Sequence, residues 1–270
     1  MTHNYYLRPR RLTFLEKPGT GDDNGFQLSK NVSWEDERSE LPTPDENFIK
    51  YWGDADKYLN TGKRDADLLR AALIRAGVDD IKGPGNFLEL GCANSRVLRW
   101  FADWASYGEG WGVDLNAAMI FWCHQNLSPP FHYNVSTTLP KLSFADHYFS
   151  LVFALSVFTH IDDMYLSWLC EMRRILKPGG LFYFTIHDEA AADIETEMGA
   201  WPQKRRVQSQ AYNEFVAQES DFCTVNRDWR CLSSFRRDYL VDHLSNFFDV
   251  IELVSRAMGQ TQTGILLRRK

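Results

Sequence analysis

The chain has 270 residues, with 30 lysines and arginines against 36 aspartates and glutamates, for a formal net charge of −6. Its 44% hydrophobic content is enough for one sizeable core and excludes a disordered chain, and the acidic balance argues against a generally basic nucleic-acid-binding surface. There is no run of roughly 18 apolar residues to span a bilayer and no signal-peptide core near Met1, so a cytoplasmic protein without nucleic-acid or membrane partners is expected.

Five cysteines, Cys92, Cys123, Cys170, Cys223 and Cys231, form no Cys-x-x-Cys pair. An odd number without that spacing fits reduced thiols better than a disulfide framework or a zinc site, and no metal is expected. Residues 1–45 are polar and punctuated by Pro18-Gly19, Gly21, Gly25, Pro42 and Pro44. They read as an N-terminal arm or lid, docked through aromatics such as Tyr5, Phe14 and Trp34. From Phe48 to Val78 the pattern is helical, with Leu68, Leu69, Ala72, Leu73 and Ala76 on one face before Gly77.

The chain then alternates. Strand-like runs fall at 86–90, 110–115, 131–135, 150–156 and 181–186, separated by helical patterns at 96–104, 117–125 and 164–176. Such alternation predicts parallel strands with crossover helices on both faces. Residues 190–235 break the rhythm and show no clear strand. A helix at 237–244, apolar runs at 248–254 and 263–267, and a short connection near Met258-Gly259 predict a closing antiparallel hairpin.

The chemistry-bearing stretch is Phe87-Leu-Glu89-Leu-Gly91-Cys-Ala93-Asn-Ser95, an apolar strand ending in an acid and followed by a turn of small residues. A second strand ends on Asp114, 25 residues after Glu89. A strand, a tight turn that admits a ligand to the backbone, and an acid suited to ribose hydroxyls together make a nucleotide cradle. The pattern by itself leaves the nucleotide open. A nicotinamide-dependent oxidoreductase has similar spacing, but its parallel sheet does not end in a hairpin.

The third block, Leu142 to Ile161, contains Phe144 and Asp146 before a strand and Ser156-Val-Phe158-Thr-His160 after it; Arg174-Ile-Leu-Lys-Pro178-Gly179-Gly180 follows. With the first two motifs and the Trp122-Cys123 pair, these blocks resemble the class I S-adenosylmethionine-dependent methyltransferase superfamily, in particular a bacterial small-molecule group sharing the Ser-Val-Phe-Thr-His signature. The resemblance covers roughly residues 60–270, and Ala93, Ser95 and Ser150 depart from its usual glycines and aspartate. It implies an α/β, doubly wound, Rossmann-like seven-stranded sheet ending in an antiparallel hairpin, with one methyltransferase domain over 46–270.

S-Adenosylmethionine is then the implied cofactor, contacted by Glu89, Gly91, Ala93, Ser95, Asp114, Leu115, Asn134, Ser156 and Phe158. His160 and His187 follow strands whose carboxyl ends face ligands in such sheets, and each is a candidate general base. Asp188 is placed to orient a histidine or bind substrate. The insertion at 190–235 reads as an acceptor-binding cap, with Trp201, Arg205, Tyr212 and Trp229 as contacts for a small-molecule or sugar-like acceptor. Ser128-Pro129-Pro130-Phe131 precedes a strand and reads as a turn, and the aromatics Trp100, Phe101, Trp104, Trp111, Phe121 and Trp122 read as core. The expected activity is methyl transfer to a hydroxyl oxygen. A non-catalytic binding protein of the same fold is the alternative from a different class.

Overall fold

The structure, a computed structural model, describes residues 41–49, 51–190, 209–225, 231–259 and 261–270. Its main sheet has seven strands in the order β3-β2-β1-β4-β5-β9-β8: β1 Phe87–Leu90, β2 Gly110–Asp114, β3 Phe131–Val135, β4 Phe149–Ala154, β5 Leu176–Ile186, β8 Phe248–Val254 and β9 Thr263–Arg269. β1 pairs parallel with β2, and β2 with β3. β9 lies antiparallel to both β5 and β8, so the predicted closing hairpin is present. A separate two-stranded ribbon joins β6 (Phe222–Val225) to β7 (Leu232–Phe235). The described residues divide into two compact units, one taking those from 41 to 139 with 149–151, the other those from 140 to 148 and from 152 onward.

In the first unit, the predicted helix over 48–78 is two helices, α1 (Glu46–Ile49) and α2 (Ala55–Arg75). Gly53 breaks it at φ +98°, and Asp54 restarts it as N-cap by accepting from Lys57 N at 2.7 Å. Along α2 the buried face carries Tyr58, Gly62, Ala66, Leu69 and Leu73. The helix expected over 96–104 is instead two short 3₁₀ turns, Leu98–Phe101 and Trp104–Ser106. The buried Glu89 carboxyl takes the Leu98 N–H at 2.9 Å, and although Arg99 N reaches Ser95 O at 3.4 Å, Trp100 N turns to Val97 O at 3.1 Å, so the α-helical ladder does not continue. Phe101 and Trp104 are core, packed against Phe87, whereas Trp111 stacks on His132 and Phe121 is exposed. The Ser128–Pro130 turn leads into β3 as expected.

The turn after β1 is made in the left-handed region, with Gly91 at φ +75°, Ala93 at +48° and Ser95 at +67°. An L-residue there costs about 1–2 kcal/mol, a penalty that glycine escapes. Ser95 compensates through its hydroxyl, which bonds Tyr133 Oη on β3 at 2.7 Å in a fully buried contact. Tyr133 in turn has room because Gly112 opposes it in register; a Cβ at 112 would fall 2.7 Å from its ring.

In the second unit, α4 (Tyr165–Ile175) follows β4, while α3 (Ala117–Asn126) of the first unit follows β2. Arg174 organises the approach to β4: it meets Glu171 Oε1 and Oε2 at 2.7 and 2.8 Å, Asp146 Oδ1 at 2.6 Å and Phe144 O at 2.8 Å. Glu171 also accepts from Leu142 N at 2.6 Å. The aromatic and acid that precede β4 are therefore a structural clamp, in which Arg174 holds the Asp146 carboxyl below its ordinary pKa. Gly179, at φ +76°, turns the exposed stretch that opens β5.

Contrary to the sequence reading, the stretch 190–235 does contain strands, β6 and β7, together with helix α5 (Gln210–Val216). Alternation was hidden because β7 buries all four of its residues, two of them serines. Helix α6 (Arg237–Ser245) leads on to β8. All five cysteines are free thiols, and among the described residues no helix is long and apolar enough to cross a membrane.

Two stability measurements test these contacts. Arg174→Leu leaves Glu171 buried without its partner and is expected to lower unfolding free energy by about 3 kcal/mol in urea titration, with the exposed Asp146→Asn costing far less. Ala93→Gly relieves the strained φ and is expected to raise stability by about 0.5–1 kcal/mol; a loss would mean the methyl group contributes more than the strain.

Candidate active site

Asp114 ends β2, and its carboxylate closes the strained turn: Oδ2 accepts from Ala93 N at 2.8 Å and Oδ1 from Asn116 N at 2.7 Å. Asn116 is the N-cap of α3, accepting from Ala118 N and Met119 N at 3.1 and 3.3 Å. Gly91 N and Cys92 N both donate to Val113 O, at 2.7 and 3.1 Å. Beneath the turn, the Sγ atoms of Cys92 and Cys123 each lie 3.7 Å from Ala93 O, and burial pushes both thiols up in pKa. The first and second motifs thus form one bonded assembly within their unit, containing Gly91, Ala93, Ser95 and Asp114. Leu115 follows Asp114, half-buried, and Asn134 stands half-buried on β3 opposite Val113.

Glu89 is buried in the same unit at 3% exposure. Desolvation raises its carboxyl to about pKa 8, opposed by Arg96 and the Leu98 N–H and reinforced by Asp114 and Asp65. Arg96 itself is paired with buried Asp65 at 2.7 Å and lies 4.0 Å over the Trp52 ring. Asn94 accepts from Tyr58 Oη through its carbonyl oxygen at 2.9 Å, which fixes the middle of the turn to α2. An acid that closes a backbone turn of small residues is an arrangement that could hold a nucleoside, with Glu89 buried in the same unit and kept largely protonated near neutral pH. A surface cavity of about 530 Å³, lined by Arg70, Asp80, Asp103 and Tyr107, contains none of the site residues expected from the sequence.

The second unit carries the remaining candidates. Ser156, at φ +58° after β4, donates its N–H to Thr185 Oγ1 at 2.7 Å and receives Gln262 Nε2 on its hydroxyl at 2.9 Å; Thr185 donates to Gln262 Oε1 at 2.6 Å. Its side chain is a brace between strand ends. Phe158 is buried at 1% exposure against Phe182 and Phe184, so its ring belongs to the core. His160 is exposed, whereas His187 is buried at 4% and its backbone bridges to Ser234. Asp188 is buried and turned to Arg237, whose Nε and Nη2 lie 3.1 and 2.8 Å from Oδ2. Tyr212 is enclosed with Phe215, Cys223 and Val225 in a small core of the insertion. Trp201, Arg205 and Trp229 lie outside the described residues.

Sequence reasoning did not single out Tyr133, Thr185, Gln262, Cys231 or Ser233. Period-two burial of Phe131, Tyr133 and Val135 marked Tyr133 as inward. Gln262 carries no local signal, since its partner Ser156 is 106 residues away. Among the described residues, no group of three or more His, Cys, Asp or Glu side chains is gathered as metal ligands.

Glu89 gives a pH-dependent prediction. A carboxyl raised from 4.5 to about 8 in the folded chain contributes stability that is complete below pH 4.5 and lost as pH rises through 8. The melting-temperature advantage of Glu89→Gln over the parent is therefore expected to grow from near zero at pH 4.5 to a plateau above pH 8. A difference that stays constant over that range would rule out the buried neutral acid.

Residues 88–184 match the methyltransferase domain family. The ubiquinone/menaquinone biosynthesis C-methyltransferase UbiE of Burkholderia mallei is 32% identical over 126 residues, which cover 42% of this chain and 50% of that protein. The chain spans about half or less of the length of the curated relatives it matches. Among solved structures, a S-adenosylmethionine-dependent methyltransferase from Clostridium acetobutylicum superimposes with a TM-score of 0.54 at 12% identity, covering 83% of this chain and 95% of that one. The 1,6-didemethyltoxoflavin-N1-methyltransferase of Burkholderia thailandensis, solved with its namesake ligand and S-adenosylhomocysteine, gives 0.51 at 14% identity over 83% and 86%. The domain match covers residues 88–184, and the sheet order is shared with solved S-adenosylmethionine-dependent methyltransferases, a likeness of fold.

Proposed function

We propose that the chain transfers a methyl group from S-adenosylmethionine to a hydroxyl oxygen of a small molecule or saccharide, in the cytoplasm, through a domain over 46–270 preceded by an arm. The observation that carries this reading is the Asp114 carboxylate closing a left-handed turn onto Ala93 N inside the matched region. A carboxylate is the side chain suited to accept from ribose hydroxyls, and Asp114 stands at the end of β2 beside the turn. Gly91, Ala93 and Ser95 present the turn, Leu115 and Asn134 flank it, and Glu89, kept neutral by burial, would meet the methionine end by hydrogen bonding rather than as an anion.

When bound, S-adenosylmethionine supplies an electrophilic methyl group on a sulfonium sulfur, so the chain's task is positioning, water exclusion and proton removal. His160 is the preferred base, because its ring is exposed while that of His187 is buried. Asp188, committed to Arg237, acts by holding that guanidinium rather than by meeting the acceptor directly. The acceptor is assigned to the insertion over 190–235. A carbon target is the second reading, favoured by the similarity to the C-methyltransferase UbiE.

Calorimetry with S-adenosylhomocysteine and with NAD tests the cofactor. The expected result is binding of the first only, weakened at least tenfold in Asp114→Ala, which melts lower because the turn loses its closing bonds but stays folded at the assay temperature. Unchanged affinity in that variant would overturn the ribose assignment. Binding of neither ligand would favour the non-catalytic alternative, and NAD binding an oxidoreductase. Labelled-methyl transfer into fractionated cell extract, with the product resolved by mass spectrometry, then separates oxygen from carbon acceptors.

A further inference from the structure

The ribbon of β6 and β7 is bonded to the loop that carries His160. Nδ1 of His160 lies 2.7 Å from the carbonyl oxygen of Cys231, the residue that precedes β7. Ser233 Oγ donates to the carbonyl oxygen of Ile161 at 2.7 Å, so neighbouring residues of the ribbon grip neighbouring residues of the loop. The ribbon end of this contact is rigidly placed. Ser233 is fully buried and bonded across the ribbon to Thr224 at 3.1 Å, and Phe235 N donates to His187 O at 2.9 Å.

A carbonyl oxygen has no proton to give, so the imidazole nitrogen facing it is the donor. A neutral histidine has one N–H, and placing it on Nδ1 puts the basic lone pair on Nε2. That is the opposite of the tautomer that predominates in a free histidine side chain. The ring is exposed while its anchor is buried, so the contact selects a protonation pattern without burying the base.

We infer that the β6–β7 ribbon is a positioning element for proton transfer: the Cys231 carbonyl fixes His160 as the Nδ1–H tautomer with Nε2 as proton acceptor, and Ser233 keeps the two in register. This rests on the proposed transfer to a hydroxyl. In that step the acceptor's O–H proton passes to Nε2 while its oxygen lone pair forms the bond to the methyl carbon. The carbon–sulfur bonding pair returns to sulfur, which leaves as a neutral thioether. The imidazolium so formed keeps its Nδ1–H on the Cys231 carbonyl, and its new proton is released to solvent. The insertion would then serve chemistry as well as acceptor choice.

Long-range ¹H–¹⁵N correlation spectra of uniformly labelled full-length protein, recorded with the histidines neutral, read the ring directly; His160→Gln assigns its signals. The expected spectrum has a protonated Nδ1 and an unprotonated Nε2. An Nε2–H pattern in the parent protein overturns the inference with no variant needed. Ser233→Ala is expected to shift His160 toward the Nε2–H tautomer and to lower labelled-methyl transfer into cell extract at least tenfold. S-Adenosylhomocysteine affinity is expected to stay within twofold. A shifted tautomer with undiminished transfer, or an unshifted tautomer, would remove the ribbon from the mechanism. If the parent protein binds no S-adenosylhomocysteine and transfers no label, the methyltransferase reading fails instead, which is a different pattern of results.

Discussion

A left-handed turn built with only one glycine at its three positive-φ positions has to be held from outside, and the Asp114 carboxylate does that. It receives Ala93 N with one oxygen and Asn116 N with the other, so a single side chain ties the turn after β1 to the start of α3. Around it, Val113 O takes the N–H groups of Gly91 and Cys92, and Ser95 anchors the far end of the turn to Tyr133 on β3. Three adjacent strand ends are locked into one polar assembly. Substituting alanine and serine for glycine is tolerated because each strained residue has a bonded partner to hold it there.

The second unit solves a related problem with different chemistry. Ser156 also sits in the left-handed region, and here the support comes from neutral amide and hydroxyl groups, Thr185 and Gln262. Because Thr185 is completely buried and Gln262 nearly so, each must be satisfied internally, and the three side chains satisfy one another. The loop after β4 is thus fixed at its start by this triad and near its end by the β6–β7 ribbon. Residues 156–161 are defined by hydrogen bonds from both directions before any ligand is considered.

Much of this was legible in the sequence. Apolar runs bounded by turn residues located all the strands of the main sheet within a few residues, and the short link near Met258 foretold the antiparallel end. The spacing of Glu89, Gly91 and Asp114 located the turn that Asp114 closes, because a tight turn after a strand favours small residues and an acid can bond its backbone. What stayed hidden depended on long-range partners. Helical periodicity over 96–104 was real, but the Glu89 carboxylate competes for Leu98 N, which no window on that segment contains. Ser156 and Phe158 were placed by position in a motif; the structure employs one as a brace and the other as core. The ribbon strands went unseen because Thr224, Ser233 and Ser234 point inward to polar partners, which defeats a pattern based on hydrophobic alternation.

The threading of the sheet has a consequence for how the molecule assembles. β9 follows β8 along the chain yet lies inside it, between β8 and β5. β5 and β8 do not pair with each other, so the inward-facing backbone donors and acceptors of both depend on one strand between them. With Thr263–Arg269 out of place both rows would stand open to mispairing, so the sheet is sealed by a strand inserted within it rather than added at its edge.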